Sequence, residues 1–183
     1  MSAIRKQFHP DDDFGPGERA YLPELQSWIM DQPQDSWLLF ALNANRDSMD
    51  EILRHFVETR DCDIAIAALI FWMGDPAYWL TQPRERFERT LSHRILVNLS
   101  HGYYAHSSLA LDETNIRPWV DSYSGALKQL HGATPPFAIP ERIFGPFKGR
   151  VPRLVPTLDA STVAHLKEIH EALGVQSEKF WFE

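Results

Sequence analysis

Eight histidines, one cysteine and two clusters of charge are the parts of this 183-residue chain with the reach to do chemistry. His101 and His106 stand five residues apart, as do His165 and His170. On a helix that spacing separates two side chains by about 140°, whereas paired metal ligands use i, i+3 or i, i+4. No His-Glu-x-x-His run is present. His170 shares a helical face with Leu166, Ile169 and Leu173, which fits packing. His93, His101 and His106 gather round a helix end and the polar stretch after it, where a shared acid/base role would have to arise. Cys62 lies between Asp61 and Asp63. Negative neighbours raise a thiol pKa and a helix N-terminus lowers it, so a buried or turn cysteine is expected rather than a nucleophile. There is no Gly-x-Ser-x-Gly elbow, phosphate loop or dinucleotide fingerprint. No catalytic residue, metal ligand or cofactor is assigned.

The charged clusters are more informative. Residues 142–153 carry Arg142, Lys148, Arg150 and Arg153 and no acid, and Gly145 and Gly149 would let the backbone approach a ligand. One reading is an anion site built from these four cations. The competing and favoured reading is that they pair with the acidic half of the same chain. That half is well defined: residues 1–92 hold 9 Lys+Arg against 16 Asp+Glu, while residues 93–183 hold 9 of each, so the whole net charge of −7 sits in the first half. Asp47, Asp50, Glu51, Glu58, Asp61 and Asp63 fall in one helix and the link after it. They read either as solvated helix-start charge or as a negative docking surface that speeds association with a basic partner. Trp37, Trp79, Trp119 and the run Phe180-Trp181-Phe182 are candidate aromatic anchors, with core packing the alternative for the first three.

The elements that must position these groups are helical. Residues 1–17 read as an irregular arm, and Tyr21 to Ile29 as a first helix. Asp35-Ser36 can cap a helix over Trp37–Leu42. Met49, Ile52, Leu53, Phe56 and Val57 form an apolar stripe behind a capping box at Ser48-Met-Asp-Glu51. Asp61 or Asp63 caps Ile64–Met73, whose apolar residues on every side place it in the core, and Gly74-Asp75-Pro76 stops it. One longer helix is expected over 84–100, ending near His101-Gly102. A further helix opens at Pro118 and closes at Gly132, and a last one runs over 161–173. Between these two, residues 133–158 hold six of the thirteen prolines, which bars a helix or central strand. Phe137, Ile139, Ile143, Phe144, Phe147 and Leu154 make that stretch too apolar for a free linker, so it should wrap the body.

The expectation is an all-α fold: a stack of about seven helices, resembling helical-repeat pairs, as one domain over 1–183. Within it lie the arm, a helical body over 18–132, the Pro-rich wrap over 133–158 and a C-terminal helix with an aromatic tail over 159–183. Composition is 44% hydrophobic and 12% aromatic, enough for a sizeable core. The acidic balance argues against a nonspecific nucleic-acid binder and against a polybasic membrane anchor. The longest apolar run, Ile64–Met73, is ten residues, about half a bilayer span, and the start has no signal-peptide-like stretch. A cytoplasmic protein is expected.

Residues 36–80 resemble a bacterial family, the domain of unknown function numbered 4274. The resemblance is carried by Leu38-Leu-Phe-Ala-Leu-Asn43, Asn45-Arg-Asp47, Cys62-Asp63 and Ala67-Ala-Leu-Ile-Phe-Trp72. Arg46 stands where the family pattern has tryptophan, and Ile64-Ala-Ile66 replaces its Gly-Thr. The resemblance implies a small helical module, and small acidic proteins of this kind commonly serve as immunity partners of secreted toxins. The first expectation is therefore an inhibitor that binds a basic toxin, contacting it through Asp47, Asp50, Glu51, Glu58, Asp61, Asp63 and Trp181. The alternative is a small-molecule or nucleotide enzyme using Arg142, Lys148, Arg150 and Arg153 with His101 or His106. A homo-oligomeric module built on the aromatic tail is the third.

Overall fold

The computed structural model describes residues 26–44, 46–131 and 134–153, with backbone alone at 46–48. The chain divides into two compact units, Gln32–Val155 and Met1–Asp31 with Pro156–Glu183. Of the second, residues 26–31 are described, and 26–30 are helical. The predicted elements over 1–25 and 161–173 and the tail with Trp181 lie outside the described residues.

Within Gln32–Val155, the sequence Ile64-Ala-Ile-Ala-Ala-Leu-Ile-Phe-Trp-Met73 forms the central helix, and every residue from Ile64 to Trp72 is buried. In chain order the helices begin with α1 (Gln34–Asn43), α2 (Arg46–Glu58) and the central α3 (Ile64–Met73). Next come α4 (Pro76–Trp79), α5 (Arg84–Phe87), α6 (Leu91–Ser100) and α7 (Arg117–Gln129). A 3-10 turn (Glu113–Asn115) precedes α7 and a second (Glu141–Phe144) follows it. Helices α1, α2, α6 and α7 and the second 3-10 turn all pack on α3. Each fully buried Leu, Ile or Phe there stabilises the fold by about 1.5–3 kcal/mol.

Helix α1 buries Trp37, Leu38, Phe40 and Ala41, and α2 buries Ile52, Leu53, Phe56 and Val57. The two meet through Trp37 stacked on Phe56, centroids 4.7 Å apart, with Phe40 edge-on to the same ring at 5.9 Å. The α2 stripe is thus the one predicted, but its start differs. Helical backbone begins at Arg46 and breaks at Met49 (φ −117°, ψ 17°), one residue after the expected cap.

The helix expected over 84–100 is two helices. Phe87, Leu91 and Ile95 keep i, i+4 spacing across the break and are all buried, so periodicity alone cannot reveal it. Thr90 makes the break by adopting extended backbone and accepting the His93 N–H at 3.1 Å, a local cap that wins over continuation. The C-terminal end falls as predicted, with His101 capping α6 and Gly102 at φ +78°. Gly74 likewise ends α3, and Asp75 at φ +48° caps α4 with Pro76 in its first turn.

Residues 134–153 wrap the helices as a strap. Ile143 and Phe147 are buried, and Phe137 stacks on Phe87 at 4.1 Å. The strap also contributes an edge strand, which the prolines do not bar: β2 (Phe147–Lys148) pairs antiparallel with β1 (Ala110–Leu111). Two residues between Pro146 and Pro152 suffice for an edge ladder, which proline tolerates. The architecture is otherwise all-α, and among the described residues no helix is long and apolar enough to cross a membrane.

Candidate functional site

Two buried carboxylates organise the polar chemistry. The first, Asp63, caps α3. Its backbone is extended (φ −64°, ψ 139°) and Oδ1 accepts the Ala65 N–H at 2.9 Å. Oδ2 accepts the Ser108 N–H at 2.6 Å, the Ser108 hydroxyl at 2.8 Å and the Leu109 N–H at 3.1 Å. The Asp63 N–H in turn donates to Gln34 Oε1 at 2.5 Å, and Gln34 Nε2 donates to the Asp61 carbonyl at 2.8 Å. One carboxylate and one amide therefore hold together α1, the 61–63 link, α3 and the 108–109 stretch. Such fully satisfied burial of a charge is what the interior requires.

The charge pattern places Asp63 on a docking surface together with its acidic neighbours, and the structure corrects this. Asp63 is completely buried, so it belongs to the scaffold and is removed from that surface. Cys62 beside it is also completely buried, with its thiol directed at the Asp63 carbonyl at 3.6 Å. Burial, aided by the Asp63 charge, pushes the thiol pKa far upward, the opposite of an activated nucleophile.

The second carboxylate, Asp35, is a predicted cap of α1. Pro33 occupies the cap position instead, and Asp35 lies in the first turn, 3% exposed. Its two oxygens accept from the two terminal guanidinium nitrogens of Arg150, Nη1 to Oδ1 and Nη2 to Oδ2, the latter at 2.5 Å, and Oδ1 also accepts the Arg153 N–H at 2.8 Å. The Arg150 bond, followed by the Arg153 N–H and the guanidinium charge, outweighs desolvation and lowers the Asp35 pKa to about 2. Arg150 thus pairs with the acidic half, as the favoured reading of the basic segment has it. Arg142 donates to the Tyr104 carbonyl at 2.6 Å, while Lys148 and Arg153 have exposed side chains. Gly149 does permit a close approach, but to protein: a Cβ there would overlap the backbone C and O of Ser108.

Of the other acids, Asp50 pairs with Arg54 one turn on at 2.8 Å. Glu51 and Glu58 are exposed and, seven residues apart, share a face of α2. Asp61 is exposed with Oδ1 3.9 Å from His106 Nε2. The Asp47 side chain lies outside the described residues. His101 is exposed at its helix cap, and His93 lies edge-on to Phe87 at 5.5 Å. Among the described residues no group of three His, Cys, Asp or Glu could hold a metal ion. Trp37 is buried in the core, and the half-buried Trp79 bonds the Gly74 carbonyl at 2.9 Å.

Sequence reasoning missed a further buried polar knot. Tyr104, at φ +59° and fully buried, donates its hydroxyl to the Val57 carbonyl at 2.5 Å. Asn98 donates to the same carbonyl at 2.9 Å and to the tyrosine oxygen at 3.1 Å. This fastens the end of α2 to the end of α6, and burial raises the phenol pKa. No local signal marks a non-glycine residue for left-handed backbone, so this knot was not readable.

The α1–α6 stretch, with its two buried carboxylates, is the part that compares with known proteins. Residues 32–97 match the family model of a domain of unknown function, DUF4274. The DUF4274 segment covers about a third of the chain and extends on both sides of the 36–80 resemblance. It contains Asp35, Asp63 and all of α3, while the donors Ser108, Arg150 and Arg153 lie beyond it. Neither the curated proteins nor the solved structures contain a match to the chain.

Proposed function

We propose that the chain is a cytoplasmic protein-binding module, an immunity-type inhibitor that neutralises a basic bacterial toxin by direct contact. One observation carries this reading. Asp35, Asp63, Cys62 and Tyr104 are buried and bonded to partners within the chain, Asp35 to the half-exposed Arg150, whereas Glu51, Glu58 and Asp61 remain exposed along α2 and the link after it. Such groups steer a cationic partner and fix its orientation, with apolar contacts supplying affinity.

The test is coexpression with the products of neighbouring reading frames of the native host. Restored growth in the presence of one basic, toxic product supports the inhibitor. Simultaneous Glu51→Lys, Glu58→Lys and Asp61→Lys should slow association about tenfold or more at low salt, with the difference shrinking as salt rises. Rescue and association rates unchanged by the triple reversal would rule out the acidic face as the contact.

A further inference from the structure

Helix α7 turns one side to the body and the other to solvent. Tyr123 marks the inner side: it is buried, edge-on to Trp72 at 6.0 Å and stacked towards Phe137 at 6.4 Å. At about 100° per residue, the opposite side carries Asp121, Ser124, Gly125 and Lys128, spaced i, i+3, i+4 and i+7. Asp121, Ser124 and Lys128 are exposed. Gly125 is the unexplained residue on that face. Glycine inside a helix destabilises it relative to alanine, so a mid-helix glycine calls for a structural reason. Its φ is not positive. Beyond its own helix backbone and chain neighbours, no heavy atom of the described residues lies within 4 Å of where a Cβ would stand. Neither backbone strain nor crowding among the described residues asks for glycine here. The two charges beside it are equally unused. Neither the Asp121 nor the Lys128 side chain has a hydrogen bond or ion pair among the described residues. About 10 Å of helix rise separates them, beyond the i, i+3 and i, i+4 pairs that meet on one helix.

We infer that this face of α7 is a homodimer contact, docking on the same face of a second copy of the chain, antiparallel across a two-fold axis at Ser124 and Gly125. The charges set the register. An isologous contact pairs residue i with j and j with i. Centred between positions 124 and 125, it puts each Asp121 opposite the partner's Lys128, so both charges are matched in both copies. A parallel two-fold pair would instead oppose Asp121 to Asp121 and Lys128 to Lys128. Ser124 and Gly125 at the crossing let the helix axes approach closely, because the side chains at the contact set that distance. A glycine with no role among the described residues thus gains one between copies. The face is small and polar, so the association is weak, with Kd roughly tens of micromolar. It shares no residue with the acidic surface of α2 and stands or falls separately from the inhibitor reading.

Sedimentation velocity on the full chain, from about 5 to about 500 µM at low salt, reads the contact. The wild type should pass from monomer to dimer across that range. Gly125→Leu keeps helix propensity high but places a bulky side chain at the crossing, and should raise Kd about tenfold or more. Asp121→Lys and Lys128→Asp each set like charges opposite one another twice, and each variant alone should stay monomeric. Mixed together, these two variants should form a heterodimer, because every Lys then faces an Asp. The doubly swapped chain should recover a Kd within about threefold of wild type. A wild type that is monomeric throughout overturns the inference. So does a dimer that Gly125→Leu and both reversals leave intact, or a mixture that stays monomeric while the wild type dimerises. Should either reversal fail to fold by circular dichroism, Asp121→Asn and Lys128→Gln replace them. Each should raise Kd about threefold or more, and an unchanged Kd overturns the contact.

Discussion

Asp63 and Asp35 are both buried carboxylates near the start of a helix, yet they are satisfied in opposite ways. Asp63 is surrounded by neutral donors, three backbone N–H groups and one hydroxyl, and has no exposed surface. Asp35 is held by a guanidinium that is itself half in water. Neutral donors fixed by backbone cannot be screened or exchanged for water, whereas a rim ion pair answers to salt, pH and competing ligands. One device fixes the interior, and the other ties the strap to the start of α1 at the surface.

The comparison is broken most directly at Asp63. Asp63→Ala leaves the N–H groups of Ala65, Ser108 and Leu109 without their acceptor and should destabilise by about 3–5 kcal/mol, read from the urea midpoint. Next is Gly149→Ala, which forces apart the strap and the Ser108 backbone that also serves Asp63. About 2–3 kcal/mol is expected, and a smaller value in an Asp35→Asn background would show the two regions coupled. The smallest effect is Asp35→Asn itself, about 1–2 kcal/mol at neutral pH after screening on the open Arg150 side. Its sign with pH is specific. A carboxyl whose folded pKa lies below its unfolded value stabilises above that value, so the contribution is present at neutral pH and lost as pH falls from about 4 through about 2. Thermal melts of wild type and variant should converge over that window.

The helical class and the central α3 were legible because ten apolar residues bounded by an aspartate and a glycine leave few options. The end of α6 was legible for the same reason: glycine at positive φ has a local cause. The break at Thr90 was not, because the apolar stripe runs through it in phase. Asp63 reads both as a cap and as surface charge, since neighbours in sequence cannot reveal that Ser108, 45 positions later, supplies three-dimensional shelter. The pairing of basic strap and acidic half could be argued from charge segregation alone, but its partner Asp35, 115 positions from Arg150, could not. Legibility thus follows sequence separation. Caps and stripes act within a turn or two, and the contacts that assemble the candidate site are long-range.

The fully enclosed α3 carries a consequence for biosynthesis. Trp72 and the Ile143 carbonyl that caps its indole lie 71 positions apart. At ribosomal rates of roughly 5–20 residues per second, about 4–14 seconds separate the emergence of the helix from that of its cover. As it emerges, Ile64–Met73 is an uncharged apolar stretch with three of its walls, α6, α7 and the second 3-10 turn, still unmade, the kind of segment that chaperones bind. Slower translation between α4 and the strap lengthens that interval.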